Sequence, residues 1–120
     1  MGYSTWFNGS FEFSRTLTPN EIVMLNELND SEEWREGKNN MPDGWCDWET
    51  NPEGTELRHN GAEKFYHYVE WLEWLIRNFF KPKGVVLNGE IEWDGEDRSD
   101  IGIIIIKDNV VEAKRGHIEY

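Results

Sequence analysis

The sequence predicts an α+β domain, a mostly antiparallel sheet with one long helix (about 62–80) and one short helix (about 19–29) packed on it. Three observations carry that expectation. Apolar residues alternate through 3–17 and 85–93, a helical period runs through 63–80, and turn residues separate short β-rich runs after 43. At 120 residues the chain is the size of one domain, 1–120, with a single core.

The first run, "GYSTWFNGSFEFSRTL", places Tyr3, Thr5, Phe7, Phe11, Phe13 and Leu17 on one face. Trp6, Asn8, Ser10, Glu12 and Ser14 fall on the other, which describes a half-buried strand, with Gly9 marking a bend or a hairpin. In "TPNEIVMLNELND", Thr18 is the N-cap, Pro19 stands at the first helical position and Glu21 completes a capping box. Ile22, Leu25 and Leu28 supply the apolar stripe of that short helix. Residues 30–43 are polar, with Gly37 and Pro42, and read as an exposed loop. A hairpin follows around the turn Asn51-Pro52-Glu53-Gly54.

The long helix is expected to start after Asn60-Gly61 and to be stopped by Pro82 and Gly84. At about 100° per residue, Phe65, Tyr68, Val69, Leu72, Ile76, Phe79 and Phe80 form one broad face, with Leu75 at its edge. His67, Trp71 and Trp74 form a second row, so Trp74 cannot share that core layer. Beyond it, Val85, Leu87, Ile91 and Trp93 point inward, and Val86, Asn88, Glu90 and Glu92 outward. The run Ile103 to Ile106 is apolar on both faces, which predicts a central strand covered on both sides. Lys107-Asp108-Asn109 is then a tight turn into a last strand.

Charge and motif content narrow the function classes. Twenty-four acidic against twelve basic residues give a net charge of −12. That charge repels phosphate backbones and anionic lipid, so neither direct nucleic-acid binding nor a membrane is expected. The start has no basic segment followed by an apolar one and no run has membrane-spanning length, so a cytoplasmic location is expected. Cys46 is the sole cysteine, which rules out an internal disulfide and a thiolate-rich metal site and suggests a buried, inert thiol. His59, His67 and His117 are scattered without metal-ligand spacing, and no glycine-rich phosphate loop occurs. No cofactor is expected.

The residues Trp45-Cys46-x-Trp48, Gly61 to Ile76 ("GAEKFYHYVEWLEWLI"), Lys81-Pro82, Leu87-Asn88-Gly89-Glu90-x-Glu92-Trp93-x-Gly95-Glu96-Asp97 and Lys107-Asp108-Asn109 form a recognisable pattern. It resembles a family of small phage and bacterial proteins without established activity, over about residues 1–115. The resemblance implies a phage or prophage setting and transfers no catalytic residue.

Three constellations bear on function. An acidic sheet face of Glu12, Glu90, Glu92, Asp94, Glu96, Asp97 and Asp100 could offer carboxylates to a basic site on a host protein. It would then stand in for phosphates and inhibit that protein as a nucleic-acid mimic of the anti-defence type, without enzymatic activity. Cation binding there is the weaker reading, since the spacing matches no calcium loop and Arg98 interrupts it. The aromatic set Trp45, Trp48, His67, Trp71 and Trp74 has three readings: a second small core, a protein interface, or a pocket for a nucleotide-like ligand. A phosphorylated ligand would require Arg58, Lys64 or Arg77 to line that pocket, and a homodimer pairing the Trp71/Trp74 rows is a further option. Finally, Asp100 with Glu112-x-Lys114 is similar to the carboxylates and lysine of magnesium-dependent nucleases of the restriction-endonuclease type. The pattern is short and common, and the net charge opposes it, so the non-enzymatic reading is preferred.

Overall fold

The computed structural model describes residues 4–37, 40–62, 65 and 67–116. Expectations for Tyr3, Lys64 and His117 lie outside them. The elements are β1 (Thr5–Phe13), α1 (Pro19–Asp30), β2 (Trp48–Thr50), β3 (Glu56–His59), α2 (Tyr68–Leu75), β4 (Leu87–Gly95), β5 (Ile101–Lys107) and β6 (Val110–Arg115). The strands form one sheet in the order β2-β3-β1-β4-β5-β6, and every neighbouring pair is antiparallel. The α+β class and the two packed helices are as the sequence predicts.

Local chemistry explains most boundaries. Thr18 Oγ1 accepts from Glu21 N at 3.2 Å and Glu21 Oε1 accepts from Thr18 N at 2.8 Å, so the capping box forms and opens α1 at Pro19. Arg15 adds a two-pronged bond to the same carboxylate, both contacts at 2.8 Å. Hydrogen bonds from Arg15, then from the Thr18 main chain, hold the Glu21 carboxyl down to about 2. A lowered carboxylate pKa contributes stability that is present above the unfolded value and is lost as pH falls through the folded one. Glu21→Gln is therefore expected to cost about 1 kcal/mol at pH 7, discounted for the half-exposed Arg15 partner. In urea melts from pH 7 down to 2, the gap between variant and wild type should close below pH 4; a constant gap would contradict the assignment.

The turn after β2 is built by Asn51, whose Oδ1 accepts from the main-chain N–H groups of Thr55 and Glu56 at 2.8 and 3.1 Å. Asp108 and Asn109 take positive φ (49° and 68°) in the two-residue link between β5 and β6, as a tight hairpin of this hand demands. Gly9 does not end β1. Its φ of 120° bends the strand, and a Cβ there would lie 2.6 Å from the Glu90 carbonyl oxygen of β4.

Three expectations need correction. The long helix begins at Tyr68 instead of 62, because His67 adopts a left-handed conformation (φ 57°) that no helix can pass through. Phe65 still reaches the core, but from the segment before the helix. At the other end α2 widens into a π turn at Ile76–Phe80 and tightens at Lys81–Lys83, so it passes through Pro82 and is closed by Gly84. The wide turn seats Ile76, Phe79 and Phe80 in the core together.

The second correction concerns the 30–43 segment, which is not simply an exposed loop: it contains a short 3₁₀ turn at Glu33–Glu36, and Met41 is buried. The third concerns β5. Its helix-side residues Ile104 and Ile106 are buried, while Ile101, Ile103 and Ile105 on the opposite side are only half-buried. Periodicity reports that both faces are apolar but not whether a second layer exists, and among the described residues nothing covers that side.

Candidate functional site

Each predicted constellation has a definite place in the fold. Trp48, Trp71 and Trp74 are core residues, exposed by 0, 2 and 6%. Trp48 Nε1 donates to the Tyr68 carbonyl at 2.9 Å, its own carbonyl accepts from Asn29 Nδ2 at 2.7 Å, and its ring meets Phe7 and Phe65 edge-on. Trp71 and Trp74 pack edge to face at 5.6 Å, and Asn40 and Pro42 lie beside Trp74. Trp71 and Trp74 of the second row thus belong to the one buried core, together with Met41 and Cys46 of the 40–46 segment. The ring of Trp45 is exposed and packs against Trp34 at 5.6 Å, away from the other four, whereas His67, exposed and bonded to Glu70, lines a small depression with Trp74 and Arg77. A shared pocket of the five is not assembled.

Burial pushes the Cys46 thiol up to about 12, which keeps it protonated and unreactive at neutral pH. His59 packs among Phe7, Trp48 and Phe65, and its Nδ1 accepts from Gly61 N. Burial lowers its pKa and favours the neutral ring. Both are structural.

The nuclease-like residues do not converge. The Asp100 carboxylate accepts from Trp93 Nε1 at 3.0 Å and lies 3.7 Å from Arg115, on the side of the sheet toward which Trp93 packs against Tyr68. Glu112 and Lys114 share the register rows of Ile105 and Ile103, on the opposite face, and contact each other at 3.8 Å. Among the described residues no three His, Cys, Asp or Glu side chains gather as a metal site would need.

The acidic set divides into three. Glu12, Glu90, Glu92 and Asp94 are exposed on one face of the adjacent strands β1 and β4, the three on β4 spaced about 6.8 Å apart along the strand. Glu96 and Asp97 lie in the turn after β4. Glu96 accepts from Ser4 N, and Asp97 accepts from Ser99 N and Oγ, bonds that lower its pKa. Asp100 belongs to the Trp93 contact described above.

What the sequence reading missed is the apolar half of the same face. The register sets Trp6 opposite Asp94, and Asp94 opposite Ile101; in the next row Asn8, Glu92, Ile103 and Lys114 follow one another across four strands. Trp6 is 59% exposed, and together with Ile101, Ile103, Lys114 and the intervening carboxylates it lines a shallow depression of about 560 Å³. The outer face is thus a strip of half-buried isoleucines beside an exposed tryptophan, with a row of carboxylates between them. One signal was readable: an "IGIIII" run needs cover on two sides, and the sequence predicts two helices for the whole sheet.

No family model, curated protein or solved structure matches the chain. The likeness to phage and bacterial proteins therefore rests on its motif residues alone. Among the described residues no helix is long and apolar enough to cross a membrane.

Proposed function

We propose that this is a non-enzymatic binding protein whose uncovered sheet face docks on a partner protein that is basic around an apolar patch. The observation that carries the reading is the juxtaposition of Trp6, Ile101, Ile103 and Ile105 with Glu12, Glu90, Glu92 and Asp94 on one open face. Apolar surface exposed among charges marks an interaction site, and an exposed tryptophan is a common anchor. The carboxylates would steer a basic partner and set register, while the apolar strip would supply the desolvated centre.

In the phage or prophage setting that the resemblance implies, the partner is a host protein and the binding inhibits it. Where that protein's basic surface normally holds nucleic acid, the carboxylate row competes with phosphates for the same cationic groups, most effectively at low salt. The aromatic-pocket alternative loses its support, because the tryptophans it needs are packed as core.

The test is capture from nuclease-treated bacterial lysate by the tagged protein, at low and high salt, beside Trp6→Ala and the triple variant Glu90→Gln, Glu92→Gln, Asp94→Asn. One basic protein, weakened by salt and lost with either variant, is the expected outcome. Capture that is indifferent to both variants would sink the reading.

A further inference from the structure

We propose that the protein forms a two-fold homodimer by pairing β6 with β6 of a second copy, in a register centred on Ala113, to give one continuous twelve-stranded sheet. β6 is the last strand of the sheet, six residues long and exposed at five of them, with Val110 at 69%. It carries no proline and no bulge to blunt a free edge, only the charged side chains of Glu112, Lys114 and Arg115. At the other edge β2 has only three residues and lies against α1.

The hydrogen-bond phase of β6 fixes which groups are available. Gly116 N donates to the Ile101 carbonyl at 2.8 Å, so Ile101 and Gly116 form a hydrogen-bonded pair of the β5–β6 ladder. By the alternation of an antiparallel ladder, residues 110, 112 and 114 also turn their main-chain groups toward β5, and Val111, Ala113 and Arg115 turn theirs outward. That outward set is symmetric about Ala113. A two-fold axis there pairs Ala113 with its own copy and Val111 with the partner's Arg115, twice over.

The same axis sets Glu112 opposite Lys114 of the second copy, again twice, at the non-hydrogen-bonded positions where side chains approach most closely. Centring on Glu112 or on Lys114 would oppose like charges, and a shift by one residue would turn each strand's outer side chains to the helix side. The Ala113 register therefore combines full use of the outward main-chain groups with two opposite-charge pairs. Glu112 and Lys114 are 63% and 58% exposed in the single chain, where they contact each other at 3.8 Å, a contact that the pairs across the axis would replace. This inference stands independently of the partner proposed above.

Sedimentation equilibrium of the full chain, from about 5 to about 500 µM, tests it, because a strand-edge interface is small and its dissociation should fall within that range. The wild type is expected to rise from 14.2 kDa toward twice that mass. Glu112→Lys and Lys114→Glu each place like charges opposite one another and should weaken association by about tenfold or more. An equimolar mixture of the two variants restores both opposite-charge pairs and should dimerise again. Ala113→Pro removes an N–H that does not serve the β5 ladder and should leave a folded monomer; if it fails to fold, the charge variants decide. A wild type that stays monomeric, a dimer that survives Ala113→Pro, or a mixture no better than either variant alone would overturn the proposal.

Discussion

Trp48→Ala is expected to be the most damaging single change, costing about 4 kcal/mol. The side chain is fully buried, so truncation leaves a cavity between Phe7, Phe11 and Phe65, and it removes the indole donor to the Tyr68 carbonyl. A domain of this size has about 5–15 kcal/mol in total, so much of its stability would go. Trp48→Phe refills most of the volume without the donor and should cost about half as much. Urea unfolding followed by circular dichroism gives both values. A loss below about 1 kcal/mol for the alanine variant would mean that the tryptophan is not part of the core.

Gly102→Val should cost about 3 kcal/mol, toward the upper end for overpacking. Trp93 stands directly opposite Gly102 in the β4–β5 ladder, and its ring fills the space over the glycine. A Cβ at position 102 would come within 2.2 Å of the ring's Cη2 and 2.5 Å of the Lys114 carbonyl oxygen on β6. The indole must swing away and lose its bond to Asp100, or the β5–β6 pair must part. A fall in Tm on the order of 15 °C is expected, with the tryptophan emission shifted as Trp93 moves. A melt within about 2 °C of the wild type would show that the ring can be displaced at little cost.

How much of this was legible in the sequence follows from where each signal resides. The start of α1 is written in three neighbouring residues, Thr18, Pro19 and Glu21, whose chemistry acts within one turn. The alternation of β4 and the Asn51 and Asp108-Asn109 turns were equally local. The start of α2 was not, because the apolar period continues through Phe65 while the backbone at His67 does not. Trp74 is buried, and Asn40 and Pro42, some thirty positions earlier, line a depression beside it, a neighbourhood that a helical wheel cannot contain. The open face was hidden for the converse reason: its isoleucines look like core residues, and only the three-dimensional arrangement leaves them without a layer.

The candidate surface was half legible. Glu12, Glu90 and Glu92 were placed on the outer face by parity, and the register sets Asp94 on the same side. Asp100 was misplaced because its hydrogen bond to Trp93 draws it to the other side. Trp6 was assigned to the outer face but not connected to the isoleucines of β5, which lie two strands away in the sheet and about a hundred residues later in the chain.

The central claim is that the uncovered face binds its partner through the position of its charges and not through their sum. The most direct measurement is calorimetric titration of the captured partner with two variants of equal net charge. One carries Glu90→Gln, Glu92→Gln and Asp94→Asn; the other carries Glu27→Gln, Glu36→Gln and Glu53→Gln at exposed sites off the face. The face variant is expected to bind at least about tenfold more weakly than wild type, and the control within about twofold. Equal losses in the two variants, or none in either, would contradict the account.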